Sequence, residues 1–128
     1  MEPIYLFDLV SRHAQWATLR QATITSNIAQ ANTPGYKAMD VEPFSAVLSK
    51  THLQVAQTAA GHMDIRDAGT RQARLDGRDT WDVNHSGNSV TLEQEMVKAD
   101  EVNRAYTLDM SITRSFHRMM LASVRSQG

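Results

Sequence analysis

The sequence contains no cysteine, which excludes disulfides, thiolate zinc sites and cysteine nucleophiles together. It also lacks an excess of either charge, because 13 basic residues stand against 14 acidic ones. The electrostatic attraction behind most nucleic-acid binding is therefore missing, and we expect a protein partner and neither nucleic acid nor a small-molecule substrate. No apolar run approaches the roughly 20 residues of a membrane-spanning helix, and the first residues lack the basic segment that opens a Sec signal peptide.

Large apolar side chains are also scarce. Leucine, isoleucine, valine and phenylalanine supply 26 of the 128 residues, and alanine and methionine make up much of the remaining hydrophobic fraction. A chain of this composition buries little apolar surface by itself. We expect much of its stability to come from neighbouring subunits.

Glycine and proline are missing from most of both ends of the chain. Apart from the third and the last residue, all of them lie between Pro34 and Gly87. The chain therefore divides into two breaker-free arms and a broken middle. The predicted boundaries are 1–33, 34–88 and 89–128.

The first arm predicts one long helix from Ile4 to Ala31. Its apolar residues recur at alternating spacings of three and four, interrupted only at Gln21, which is the pattern of a coiled-coil seam. No charged residue occurs between Arg20 and Lys37, so we expect neighbouring protein to surround this part of the helix. The seam comprises Phe7, Val10, Ala14, Ala17, Ile24, Ile28 and Ala31.

A turn is predicted where this helix ends. Pro34 fixes its own φ and pushes Thr33 out of the helical region, and Gly35 supplies the positive φ that a type II turn needs. The helix should therefore stop near Ala31 or Asn32. We take Asn32, Thr33, Pro34, Gly35 and Tyr36 together as a hinge or turn motif.

The second arm predicts an even longer helix. Thr91 and Gln94 have the spacing of a capping box, and acidic residues in the first turn suit the helix dipole. A heptad-like stripe follows. It comprises Leu92, Met96, Ala99, Tyr106, Met110, Met120 and Val124, with Asn103, Thr113 and His117 as its polar members.

The predicted fold is mainly α and elongated, with the two long helices packed as an antiparallel coiled-coil-like pair. The middle segment is irregular. Within it we expect a short helix near Phe44 to Leu48 and a small β-hairpin whose turn is at 75–78.

The interface prediction follows from the two stripes. We expect Phe7, Val10, Ile24 and Ile28 to pack against Leu92, Met96, Tyr106 and Met110, within the subunit and with its neighbours. Asn27 and Asn103 are either tolerated surface residues or buried amides that set the register between helices. We favour the second interpretation.

The sequence gives little support for a catalytic or metal-binding site. His62, Asp64, Asp82 and His85 could in principle form a metal-dependent site, but no pair has the i, i+4 spacing of a zinc protease. There is no Gly-x-Ser-x-Gly elbow and no glycine-rich phosphate loop. We therefore expect no catalytic, cofactor or metal residues, and keep a metal-dependent enzyme only as an alternative.

Two motifs resemble a known family. Ser26-Asn27-Ile28-Ala29 followed by Ala31-Asn32-Thr33-Pro34-Gly35-Tyr36-Lys37 is similar to the N-terminal signature of bacterial flagellar rod, hook and filament-junction axial proteins. The segment 87–96, together with the short length, most resembles the proximal rod protein of the B type. Asn32 and Thr91 depart from the acidic residues often found there in that type, so a C-type rod subunit is the alternative.

The resemblance implies a non-enzymatic subunit of the basal-body rod that packs helically through its terminal helices and transmits motor torque. It implies a periplasmic location and export through the flagellar type III apparatus without a cleaved signal peptide. The implied partners are copies of the chain, other rod proteins, the rod-base adaptor, the membrane-ring protein and the export gate. No cofactor is implied.

Overall fold

The computed structural model describes residues 3–52, 72–74 and 79–126. Its two longest elements are the terminal helices α1 (Pro3–Ala29) and α3 (Leu92–Arg125), of 27 and 34 residues. At 1.5 Å per residue they are about 40 and 51 Å long. Between them lie the strand β1 (Met39–Val41), the helix α2 (Phe44–His52) and the strand β2 (Gln72–Arg74). The prediction of a mainly helical chain with an irregular middle is confirmed.

Side-chain contacts at two levels show that α1 and α3 run antiparallel. Near the start of α1, the rings of Phe7 and Phe116 meet edge to face with centroids 4.8 Å apart. Further along, Arg20 Nη1 lies 3.3 Å from Glu101 Oε2. As the residue number rises along α1, the number of the residue that it contacts in α3 falls, so the two helices are antiparallel. The predicted packed helix pair is confirmed.

The first helix ends within two residues of the predicted stop. Regular helix ends at Ala29, and two tighter turns follow, in which Ala31 donates to the Ile28 carbonyl and Thr33 to that of Gln30. A shift of this size lies within the usual uncertainty of helix ends.

The strand pair differs from the predicted hairpin. β1 pairs antiparallel with β2, with Asp40 opposite Ala73. The two strands are separated by α2 and by residues 53–71, so the pairing is not local. The predicted turn at 75–78 lies outside the described residues. The short helix is confirmed as α2, whose start follows Pro43.

The core is small and largely polar. Among the described residues, its buried apolar cluster contains only Ala17, Ile24 and Val102, with Trp16 and Ala99 packed against it. More buried side chains are polar or charged than apolar in the part of the chain that the structure describes. These are Thr23, Asn27, Asn88, Ser89, Gln94, Glu95, Lys98 and Asp109.

The predicted capping box does not form. Thr91 is the N-cap of α3, but its side chain makes no capping hydrogen bond to the first turn. Gln94 is engaged elsewhere: its amide donates to the Asp79 carbonyl at 2.7 Å and accepts from the Trp81 N–H at 3.4 Å. The preceding loop therefore takes up the side chain that was expected to cap the helix.

The apolar stripe of α3 does not face α1, so the predicted packing within the chain is wrong for this helix. Leu92, Met96, Tyr106 and Met110 are 49, 68, 47 and 37% exposed. The residues turned toward α1 form what we call the inner seam, namely Glu95, Lys98, Val102, Asp109 and Phe116. The stripe that lies mostly away from α1, which we call the outer seam, comprises Leu92, Met96, Ala99, Asn103, Tyr106, Met110, Thr113, His117, Met120 and Val124. Two of its members are less accessible, since Ala99 packs against the core cluster and Thr113 is half-buried.

The two seams have the same spacing and differ by one residue. Met96 follows Glu95, and Met110 follows Asp109. One residue turns an α-helix by about 100°, so a partner on the outer seam would lie on a different side of α3 from α1. The expected packing of this stripe within the subunit therefore does not occur, and its expected packing with neighbouring subunits stays a prediction.

Candidate functional site

The turn after α1 has the predicted geometry. The Tyr36 N–H donates to the Thr33 carbonyl at 3.2 Å, closing a β-turn with Pro34 and Gly35 at its centre. Gly35 has φ +73°, which a type II turn requires at this position. The backbone from Thr33 to Tyr36 thus has the expected turn geometry, and the role of the motif as a hinge stays a prediction.

Asn88 holds the end of α1, a role that sequence reasoning missed. Its side chain is 1% exposed, and Nδ2 lies 2.9, 3.0 and 2.7 Å from the carbonyl oxygens of Gln30, Ala31 and Thr33. Its Oδ1 accepts the Val90 N–H at 2.8 Å. One amide thus bonds three carbonyls at and just after the helix end, of which those of Gln30 and Thr33 also accept a backbone N–H. In the sequence, the one signal for this role was the position of Asn88 directly after Gly87 and shortly before the start of α3.

Asn88 belongs to a wider contact between two segments, 33–38 and 84–90, which we call the clasp. The Gly35 N–H donates to the Ser86 carbonyl at 2.8 Å, and the Ser89 N–H donates to the Tyr36 carbonyl at 3.0 Å. Ser89 Oγ also accepts the Ala38 N–H at 2.8 Å. The exit from α1 and the approach to α3 are therefore fastened to each other by backbone hydrogen bonds.

Asn27 is completely buried, as expected of an amide that fixes the relation between helices. Its Nδ2 donates to the Met39 carbonyl at 2.7 Å and to Glu95 Oε2 at 3.1 Å. Its Oδ1 accepts the Met39 N–H at 3.0 Å and the Tyr36 hydroxyl at 3.2 Å. This amide connects α1, β1, the clasp and α3. Asn103, which was given the same role, is exposed.

Ion pairs link the inner seam of α3 to α1 and β1. Lys98 Nζ lies 3.3 Å from both Glu95 Oε1 and Asp40 Oδ2. Arg20 Nε lies 3.2 Å from Asp40 Oδ1, and its guanidinium lies over the Trp16 ring. Because the buried Lys98 and Glu95 face opposite charges, this part of the polar interior can be accommodated.

A second polar contact lies further along the helix pair. His13 Nδ1 is 2.6 Å from Asp109 Oδ2, whose side chain is largely buried. The His13 ring is stacked near Trp16 and meets the edge of Phe44, so α2 also packs here. Like the ion pairs, this contact places a charged residue of α3 at the helix interface.

The remaining predicted interface residues lie at different depths. Ile24 is 1% exposed and belongs to the core, and Val10 is half-buried. Phe7 and Ile28 are 36 and 41% exposed. The structure thus brings Ile24 and Asn27 into the helix pair and leaves Ile28 and the predicted α3 residues accessible.

The candidate metal residues are not assembled into a described site. His62 and Asp64 lie outside the described residues, and Asp82 and His85 are exposed. Within the ranges that the structure describes, no three histidine, aspartate or glutamate side chains are grouped as metal ligands. No helix of those ranges is long and apolar enough to cross a membrane.

Comparison with known proteins agrees with the motifs. A family described as Flagella basal body rod protein matches residues 14–37, which span most of α1 and the turn. The flagellar basal body rod protein FlgB of Agrobacterium fabrum is 43% identical over 98% of this chain and 96% of its own length. FlgB of Proteus mirabilis is 30% identical over 85% of both chains, and FlgB of Bacillus subtilis is 32% identical over 64% of both. The chain therefore belongs to the FlgB family of flagellar basal body rod proteins, which are structural rod subunits and not enzymes.

Proposed function

We propose that this rod subunit assembles with copies of itself and with other flagellar rod proteins through the outer seam of α3 and the exposed part of α1. The observation that carries the proposal is the accessibility of the outer seam. Its apolar members recur with coiled-coil spacing over about 48 Å of helix. Exposed apolar residues aligned along one face of a helix in this way are typical of an interaction site in soluble proteins.

The first helix contributes a complementary surface. Phe7 and Ile28 are accessible near its two ends. Between Arg20 and Lys37 the helix carries no charge, and Ala22, Thr25 and Ser26 are exposed there. A surface without charge can be covered by another protein at little desolvation cost. We propose that neighbouring subunits cover it in the rod.

The polar interior indicates that the two seams have different roles. Apolar burial is the main driving force of association, whereas buried ion pairs contribute little net stability and can define geometry. The inner seam therefore fixes the shape of the subunit, and the outer seam supplies the apolar surface for assembly. Transmission of motor torque follows from a rod built of such subunits.

The turn motif has a separate role in this proposal. Asn32 to Tyr36 direct the chain out of the helical core, and the clasp fixes where it returns. The division into a terminal helix at 1–33, a variable middle at 34–88 and a second terminal helix at 89–128 remains a prediction. The clasp suggests that the two ends of the middle segment belong structurally to the helix pair.

The cellular setting is proposed from the resemblance to rod proteins. We place the subunit in the periplasmic part of the basal body, at the cell-proximal end of the rod. There it would contact the rod-base adaptor, the membrane-ring protein and the export gate. Export through the flagellar type III apparatus without signal cleavage suits a chain with a small core, because such a chain unfolds readily.

The test compares two aspartate substitutions on opposite sides of α3. Met96→Asp places a charge on the outer seam, whereas Leu108→Asp places one on the opposite side, where Leu108 is 58% exposed. We expect Met96→Asp to be exported but lost from purified basal bodies, with loss of swimming. Leu108→Asp should be retained. Normal incorporation of Met96→Asp would contradict the assembly role of the outer seam.

A further inference from the structure

The second half of α3 carries charge of one sign. No acidic residue follows Asp109 in the sequence, whereas Arg114, Arg118 and Arg125 all do. A cation in the last turn of a helix is favoured by the helix dipole, which explains Arg125. That effect fades beyond the last turn, and Arg118 and Arg114 lie about two and three turns before the helix end. The dipole therefore does not explain these two arginines.

Arg114 and Arg118 line an open groove along one side of α3, which overlaps the outer seam. The groove has a volume of about 720 Å³, and Tyr106, Met110 and His117 also line it. Residues three and four apart are neighbours on a helix, so these side chains follow one another along a single face. All five are exposed. We call this surface the basic groove.

The arginines of the basic groove have no carboxylate partners. Arg118 Nη2 donates to Ser115 Oγ at 3.3 Å. Among the residues that the structure describes, no aspartate or glutamate forms an ion pair with Arg114 or Arg118. Elsewhere in the helix pair the cations meet carboxylates, as is the case for Arg12, Arg20, Lys98 and Arg104. The basic groove therefore offers positive charge that the fold itself does not use.

We propose that the basic groove binds an acidic amphipathic helix of a different rod protein. The proposal rests on the assembly role proposed above and names the chemistry of one partner. Carboxylates three or four residues apart on the partner helix would meet Arg114 and Arg118, because a guanidinium binds a carboxylate through two parallel hydrogen bonds. Apolar residues beside those carboxylates would cover Tyr106 and Met110.

A second copy of this chain is a poor occupant, because its helical acids already hold cations. On the described helices, Glu93 is the one acid without an ion pair. The others are paired as Asp8 with Arg12, Glu95 with Lys98, Asp100 with Arg104, Glu101 with Arg20 and Asp109 with His13. A second copy would have to break such pairs to satisfy two arginines. The free carboxylates must therefore come from another chain.

An anionic membrane surface would attract the same arginines but fits this face less well. A helix that lies on a membrane does so through a broad apolar face. The basic groove is lined by polar side chains apart from Met110 and the ring of Tyr106. The large apolar Phe116 of this half of α3 packs against Phe7 of α1. A protein helix with carboxylates matches the groove better.

Charge reversal in the full-length chain tests the proposal. Arg114→Glu/Arg118→Glu changes two exposed side chains, so the far-UV circular dichroism of the purified variant should match that of the natural chain. We expect its amount in purified basal bodies to fall by about tenfold, with loss of swimming. Normal incorporation of this variant would overturn the proposal.

The matched control is Arg104→Glu/Arg125→Glu. It changes the net charge by the same amount, at two exposed positions of α3 that do not line the basic groove. We expect this variant to be incorporated normally. An equal loss of both variants would show that net charge matters and the groove does not.

Photo-cross-linking identifies the occupant. A benzophenone amino acid replaces Tyr106, the assembled basal bodies are irradiated, and mass spectrometry locates the adduct. We expect the adduct on a peptide of a different rod protein that carries acidic residues three or four apart. An adduct on this chain would indicate a second copy, one on phospholipid would indicate a membrane, and absence of any adduct would indicate an open groove. Each of these results overturns the proposal.

Charge exchange then checks the ion pairs. Arginine in place of the acidic residues of the cross-linked peptide should restore most of the incorporation that Arg114→Glu/Arg118→Glu loses. Failure to restore it would contradict direct pairing of the charges.

Failure of this proposal can be told apart from failure of the assembly role. If Met96→Asp is lost from basal bodies and Arg114→Glu/Arg118→Glu is incorporated normally, the basic groove has no partner and the assembly role of the outer seam stands. If both variants are incorporated normally, both proposals fail.

Discussion

Asn27 Nδ2 lies 3.1 Å from Glu95 Oε2, and both side chains are completely buried. This hydrogen bond joins α1 to α3 at the end of the helix pair where the clasp lies. The same amide also bonds both polar groups of the Met39 backbone. A single side chain therefore holds three elements that are distant in sequence.

Replacing this amide should destabilise the chain. Asn27→Ala removes the hydrogen bonds to the Met39 backbone, to Glu95 Oε2 and from the Tyr36 hydroxyl. We expect a loss of about 3 kcal/mol in the free energy of unfolding. Urea unfolding followed by far-UV circular dichroism measures it. Asn103→Ala removes an exposed amide from the same helix pair and should change stability by less than about 0.5 kcal/mol. Equal losses for the two variants would contradict the role of Asn27.

Lys98 of the inner seam should be needed for stability only while residue 95 is a charged glutamate. Lys98→Met leaves the buried Glu95 without its cation, and we expect a loss of about 3–5 kcal/mol. Adding Glu95→Gln removes the unpaired charge, so the double variant should recover much of that loss. Urea unfolding of the two single variants and the double variant forms a double-mutant cycle. Strictly additive losses would show that the two side chains are not coupled.

The stability at the end of α1 should be sensitive to the replacement of the side-chain nitrogen of Asn88 by an oxygen. Asn88→Asp keeps the acceptor for the Val90 N–H but replaces the donor with an oxygen that faces three carbonyls. We expect about 3 kcal/mol of destabilisation, most of it at the end of α1. Hydrogen exchange of the amides at 30–36 would report the local opening. Asn84→Asp, at an exposed position of the same loop, is the matched control and should leave this exchange unchanged.

Gly35 should tolerate only residues that accept a positive φ. A Cβ at this position meets no atom within 4 Å, so the cost of a substitution is conformational and not steric. Gly35→Val should lose about 1–2 kcal/mol and impair swimming. Gly35→Asn should behave nearly as the natural chain, because asparagine populates this region more readily. Normal swimming of Gly35→Val at normal protein levels would contradict the role of the turn.

Local features were predictable from the sequence. The ends of α1 and α3 and the turn at Gly35 follow from where proline and glycine lie and from helical spacing. Each depends on residues close together in the chain, so no knowledge of tertiary contacts is needed.

The inner seam could not be predicted because its residues look like surface residues. Glu95, Lys98 and Asp109 are buried only because distant residues neutralise them or bond to them, Asp40 and His13 among them. Apolar spacing therefore selected the outer seam as the face packed on α1. The β1–β2 pairing and the role of Asn88 were missed for the same reason, since each joins segments at least 30 residues apart.

The one-residue offset between the two seams makes α3 intolerant of changes in length. A single inserted or deleted residue near Asn103 would turn the rest of the helix by about 100° relative to its beginning. A deletion would bring Met110 to the place of the buried Asp109 at the contact with α1. An insertion would bring Leu108 there. The contacts with α1 and the proposed contacts of the outer seam would then be lost together. Evolution of this chain by insertion or deletion should therefore be confined to the segment between α2 and the clasp.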